Sequence, residues 1–148
     1  MHTIIVQRHG TPRSRFGDES LTAEGRRQIE EKSKIITGII TGYRVCLHAS
    51  PLRRTVESAE IVSAQTGLQL FIDHHLVHEV MGIDEAERFL NPIRDTNDII
   101  VLVGQEVHIT AMLILFAEEY YSNNQETMNM PFAATVVIDV RTGRVRLL

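Results

Sequence analysis

Short apolar runs alternate with longer amphipathic stretches along this chain. Thr3 to Gln7 is apolar, ends at Arg8-His9-Gly10 and reads as a buried strand. Thr11 to Ser20 holds Pro12, Gly17 and Asp18 among polar residues and reads as a loop. Thr22 is placed to cap a helix running to about Ile40, with Ile29, Ile36 and Ile40 on one face and Gly42 past its end. Arg44 to Ala49 is a second strand. Ser50-Pro51 then predicts a helix start, with Ser as N-cap and Pro at the first helical position. Leu52, Val56, Ala59 and Val62 give that helix its apolar stripe, and Gly67 closes it. Leu68 to Ile72 and Ile99 to Val103 read as the third and fourth strands, with a short helix at Asp84 to Phe89 between them. Val107 to Tyr121 reads as a single, largely apolar helix. Ala134 to Val140 and Arg144 to Leu148 read as a hairpin around Thr142-Gly143.

Strand followed by helix, repeated, predicts an α/β fold: a three-layer α/β/α sandwich on a mainly parallel sheet. Ligands of such sheets sit at the carboxyl ends of strands. Those ends are Arg8-His9-Gly10, His48-Ala49-Ser50 and Gly104-Gln105-Glu106. The 148 residues suit one domain, 1–148, without repeat or linker.

Composition narrows the partners. Fifteen Lys and Arg stand against nineteen Asp and Glu, a net charge of −4. That balance argues against a general nucleic-acid binder. Only Lys32 and Lys34 are lysine, so the positive charge is mostly arginine, the side chain whose fork suits phosphate and carboxylate. One cysteine, Cys46, excludes an internal disulfide framework and reads as a small buried hydrophobe. No apolar run approaches the ~20 residues that span a bilayer. With no signal-peptide pattern, the expectation is a cytoplasmic protein that binds neither membrane nor nucleic acid. Nothing in the sequence sets the oligomeric state.

Two segments carry chemistry. In Arg8-His9-Gly10, glycine permits a sharp turn and close approach of a ligand to backbone. An imidazole there can act as acid, base, nucleophile or metal ligand. In Ser50-Pro51-Leu52-Arg53-Arg54-Thr55, a helix N-terminus attracts anions, yet arginine in its first turn opposes the helix dipole. Two readings fit arginines in that place: an anionic ligand that outweighs the repulsion, or a pair of solvated surface side chains.

Together with Leu21-Thr22-Ala23-Glu24-Gly25-Arg26-Arg27-Gln28, these segments resemble the histidine phosphatase superfamily, the phosphoglycerate-mutase-like fold, in order and spacing. The resemblance implies that His9 is a nucleophile that accepts a phosphoryl group. It implies that Arg8 and Arg54, rather than Arg53, hold phosphate oxygens. Thr11, Arg13 and Arg15 fall in the loop where the family places further phosphate or substrate contacts, with Arg15 in place of a common asparagine. Val77-His78-Glu79-Val80-Met81-Gly82 resembles the segment that supplies the acid for the leaving group, which makes Glu79 the candidate. No metal or organic cofactor is implied. The short stretch from Gly82 to Val103 leaves little room for a lid and resembles the compact branch that includes phosphohistidine phosphatases. The expected substrate is a phosphorylated small molecule or a phosphoprotein.

A second position also departs from the family pattern. Gln105 stands where the second histidine is expected, after the fourth strand. An amide can donate a hydrogen bond to phosphate but carries no charge. His108, one helical turn on, is the candidate to reach into the pocket in its place. These features leave two readings: a phosphatase working through phospho-His9, and a phosphate-binding protein with weakened turnover. A third, a metal protein using His74, His75 and His78, has suitable donor types but not the spacing of a His-Glu-x-x-His helix.

Overall fold

The structure is a computed structural model and describes residues 1–14, 16–17, 19–76, 81–125 and 130–148. Six strands form one sheet: β1 (Thr3–Arg8), β2 (Val45–Ala49), β3 (Leu70–Ile72), β4 (Ile99–Gly104), β5 (Thr135–Asp139) and β6 (Val145–Leu147), in the spatial order β3-β2-β4-β1-β5-β6. The first four are mutually parallel. β5 runs antiparallel to both β1 and β6. The sheet is therefore parallel where helices connect its strands and antiparallel where the predicted hairpin joins it. Gly143 takes φ +68° in that hairpin, a conformation glycine adopts at little cost.

Side chains alternate between the two faces of each strand. On one face Ile5, Leu47, Val101 and Val103 pack against Ile29, Ile36 and Ile40 of α1 (Ala23–Ile40) and Ala59 and Val62 of α2 (Arg53–Thr66). On the other, Ile4, Val6, Ile100, Leu102 and Val136 pack against α3 (Ile83–Leu90) and α4 (Glu106–Phe116). This is the three-layer α/β/α sandwich. Cys46 is buried among that second set, and burial pushes its thiol pKa up to about 11. Among the described residues no helix is long and apolar enough to cross a membrane.

Strand ends shift by one or two residues, β3 beginning at Leu70 rather than Leu68, and two helices differ from expectation. α2 begins at Arg53 with Leu52 as N-cap, not at Ser50-Pro51. The Ser50 N–H continues the sheet instead, bonding the Val103 carbonyl at 3.2 Å, so the helix starts a few residues later. That shift puts Arg53 and Arg54 at the first two helical positions. The predicted Val107–Tyr121 helix is broken in two. α4 stops at Phe116, Ala117 leaves helical geometry at φ −146° and ψ 46°, and α5 (Glu118–Asn124) follows.

The loop after β1 is fixed by backbone contact. A Cβ on Gly10 would lie 2.4 Å from the Gly25 carbonyl oxygen, and one on Gly25 would lie 2.3 Å from the Thr11 carbonyl oxygen. Thr22 caps α1 by accepting the Gly25 N–H, and its own hydroxyl and N–H both bond the Thr11 carbonyl. Gly25→Ala is expected to destabilise the fold by about 1–3 kcal/mol, the usual cost of overpacking. Urea unfolding of the variant checks this.

Candidate active site

The carboxyl end of β1 delivers Arg8 and His9 to opposite faces of the sheet edge. His9 lies on the α2 side and is buried. Its Nδ1 is 2.8 Å from the Gly10 carbonyl, which can only accept, so Nδ1 carries the proton. Nε2 is then the lone-pair nitrogen, and it accepts a 3.1 Å hydrogen bond from Nε of Arg54. Burial lowers the pKa of His9 to about 4, against the Gly10 hydrogen bond and helped by the nearby charges of Arg54 and Arg8. The ring is therefore neutral at pH 7, with a basic nitrogen turned toward a guanidinium.

Arg54 is held at its other end by the Gly17 carbonyl, which accepts from Nη1 at 2.8 Å. Ser58, one turn further along α2, accepts the Gly10 N–H at 3.1 Å and donates to the Arg54 carbonyl at 2.8 Å. That serine ties the glycine after the histidine to the helix bearing the arginine. Arg53 points elsewhere, toward Glu57 at 3.4 Å. Of the two arginines, Arg54 is the one that faces His9.

Arg8 reaches the same space from the other face of β1. Its Nη1 bonds the Met130 carbonyl, its Cζ lies 4.4 Å from the ring centroid of Phe132, and Glu106 pairs with it at 3.7 Å. Phe132 also packs on the His9 ring, at 5.6 Å between centroids. The chain around Phe132 is strapped to the site: the Ala133 N–H bonds the His9 carbonyl at 2.9 Å, and Ala133 takes φ 62°, uncommon for a residue with a side chain. These groups enclose a cavity of about 580 Å³ lined by Arg8, His9, Arg54 and Gln105, with Glu106 and Phe132 at its wall. A neutral imidazole and two guanidiniums facing one space suit an anion that accepts both charge and a nucleophile.

The other expected residues are placed as follows. Gln105 is the N-cap of α4 and lines the cavity. Thr11 does not: its N–H and hydroxyl both donate to Gln28, at 3.1 and 3.0 Å, so its side chain fixes the loop to α1. His108 is buried and does not line the cavity either. Its Nδ1 accepts the Gln105 N–H at 2.8 Å, and it occupies the space a Cβ on Gly104 would take, 2.3 Å from that nitrogen. The local fold of the β4–α4 turn thus turns His108 inward and makes it the cap beneath Gln105. Arg13 is exposed. Arg15, His78 and Glu79 lie outside the described residues. Among the described residues no group of three or more His, Cys, Asp or Glu could hold a metal. His48 packs between Phe71 and Phe89 at ring distances of 5.4 and 5.3 Å.

Sequence reasoning did not find Met130, Pro131 and Phe132. The available signal was positional. They immediately precede the start of the hairpin strand, and an antiparallel partner of β1 begins where β1 ends.

Two buried neutral histidines make stability depend on pH. Burial lowers His108 as well, to about 4, partly offset by the Leu76 carbonyl. In the unfolded chain both rings take a proton near pH 6.5, whereas in the folded chain they resist it until about pH 4. Between those values the unfolded state holds more protons, so stability is full above pH 6.5 and falls as pH drops toward 4. The expected loss is about 2–3 kcal/mol per histidine. Urea unfolding across pH 4 to 7 checks the slope, which His108→Gln should reduce; His48, also lowered by burial, adds to it in the same sense.

A model of the histidine phosphatase superfamily (branch 1) matches residues 4–89, more than half of the sequence, and the chain belongs to that superfamily. No curated protein matches the sequence. Among solved structures the chain is similar to mycobacterial glucosyl-3-phosphoglycerate phosphatase, at 16% identity and a TM-score of 0.73, covering 99% of this chain and 96% of that one. It is also similar to a protein of Agrobacterium tumefaciens assigned as the phosphohistidine phosphatase SixA, at 16% identity and a TM-score of 0.73, over 99% and 95% of the two chains. At such identities these likenesses concern the fold.

Proposed function

We propose that the protein is a phosphatase that hydrolyses a phosphomonoester or a protein phosphohistidine through a phospho-His9 intermediate. The observation that carries this reading is the His9 Nε2 lone pair, fixed by the Nδ1–Gly10 bond and turned into a cavity that also holds Arg8 and Arg54. Arriving phosphate draws the Arg54 guanidinium away from Nε2 and onto its own oxygens, which exposes the nucleophile. Nε2 then attacks phosphorus. The Nε2–P bond forms as the bond to the leaving oxygen or nitrogen breaks, and Glu79 gives the leaving group a proton. The Gly10 carbonyl steadies the positive charge that the ring gains. Water next attacks phospho-His9 and gives a proton back to Glu79, the Nε2–P bond breaks, and phosphate leaves the neutral ring. Arg8, Arg54 and the Gln105 amide stabilise the spread negative charge, which is most of the work in phosphoryl transfer. The protein needs no metal or cofactor for these steps.

Brief exposure to an aryl phosphate at neutral pH, acid-free digestion and mass spectrometry should find a phosphoryl group on His9. Turnover without label on His9, or with normal rate in a protein lacking it, overturns the mechanism.

Gln105 favours a second reading, a phosphate-binding protein of low turnover, since the amide cannot supply the charge of an imidazolium. Gln105→His is expected to raise kcat on an aryl phosphate about tenfold or more, the scale of restoring one charged donor at a transition state. If the wild-type protein binds phosphate calorimetrically but turns over none of several phosphorylated substrates, the binding reading stands instead.

A further inference from the structure

Among the described residues lining the cavity, Glu106 is the only carboxylate, and it sits where a dianion is to bind. Its pairing with Arg8 is long, at 3.7 Å, and is made by one oxygen. The Glu106 side chain is 55% exposed and that of Arg8 22%, so the carboxylate is the more solvent-accessible partner of the pair. Beyond it opens a second recess of about 310 Å³, lined by Met81, Glu106, Val107 and Thr110. Glu106 and Val107 border both spaces, so a group extending from the phosphate toward this recess runs beside a carboxylate and apolar side chains.

A carboxylate beside a phosphate site weakens the binding of any phosphate whose organic part is neutral or anionic. It favours one whose organic part is cationic. We propose that Glu106 selects phosphomonoesters whose leaving group carries a positively charged amine a few bonds from the phosphate. This rests on the reading above only for the place of the phosphate among Arg8, His9 and Arg54. When the phosphate engages Arg8, the carboxylate loses its pairing charge and the substrate ammonium replaces it. The arrangement exchanges one ion pair for two, in a partly desolvated cleft where charge complementarity governs partner choice.

A rival explanation is structural: Glu106 is the first residue of α4, where the helix dipole favours a negative charge. The two accounts forecast different results. Aminoethyl phosphate and propyl phosphate have nearly the same size and differ in the ammonium. Each is titrated calorimetrically into the His9→Ala protein, so that hydrolysis plays no part. The expected result is about tenfold tighter binding of aminoethyl phosphate, a preference that disappears in His9→Ala/Glu106→Gln and persists in His9→Ala/Glu106→Asp. Propyl phosphate should bind the Gln variant as well as or better than its parent. Equal affinities in the parent protein overturn the proposal, as does a preference that survives Glu106→Gln. A lowered unfolding midpoint with unchanged selectivity assigns Glu106 to the helix alone. Inorganic phosphate in the same titration separates the two readings. Phosphate binding without discrimination refutes only the role of Glu106, whereas no phosphate binding refutes the site as well.

Discussion

His9→Ala is expected to lower phosphatase turnover by at least about a thousandfold while phosphate affinity stays within about tenfold of wild type, because on the proposed mechanism the variant removes the nucleophile and leaves the two arginines. The structure makes this separation possible. The cavity keeps Arg8 and Arg54, and the ring contributes its hydrogen bonds, to the Gly10 carbonyl and from Arg54 Nε, and a face against Phe132. Neither loss opens the core, since the apolar clusters lie deeper along β1 at Ile4, Ile5 and Val6. The measurement pairs kcat on an aryl phosphate with calorimetric phosphate binding. A variant that turns over normally removes His9 from the mechanism. One that loses binding and turnover alike shows that the ring holds the anion rather than attacks it.

Arg54→Ala is expected to lose about a hundredfold to a thousandfold in kcat/KM, and Arg54→Lys should recover little of it. The guanidinium spans from His9 Nε2 to the Gly17 carbonyl, at 3.1 and 2.8 Å, so its position is set from both ends. A lysine ammonium is a single point of charge and cannot hold two phosphate oxygens in a planar fork. A second readout distinguishes charge from simple disruption. Burial is the main reason His9 resists protonation, and the Arg54 charge adds to it. With that charge gone, His9 protonates more easily, so the acid limb of the kcat/KM profile should move to higher pH. A loss of rate with an unmoved limb would mean that Arg54 does not act on His9 electrostatically.

How much of this was legible in the sequence differs from element to element. α1 and its Thr22 cap were readable because cap, periodic isoleucines and closing glycine all agree, and local signals settle local structure. β4 was readable as an apolar run because it is buried on both faces. The start of α2 was not, since the Ser50 N–H is taken by the neighbouring strand, and a cap preference cannot register a sheet hydrogen bond to Val103. The break at Ala117 was also hidden, because apolar composition continues through Phe116 while the backbone turns. His9, Arg8 and Arg54 were picked out by type and place, and the fold brings the three to one cavity. The inward direction of His108 was not legible, because it depends on a missing Cβ at Gly104 and a hydrogen bond to backbone. The wall at Met130 to Phe132 stayed invisible for want of any local pattern; only strand pairing brings it to His9.

That pairing governs the order in which the molecule can become functional. Gln7 bonds Thr135 across 128 positions of chain, and Arg8 bonds Met130 across 122. Contacts of such separation close late, after the entropy of the intervening loop has been overcome. A nascent or partly folded chain can therefore carry α1, α2 and the parallel strands while its cavity lacks one side. The cavity is completed with the last strands, so on the proposed function recovery of phosphate binding should be among the final events on refolding.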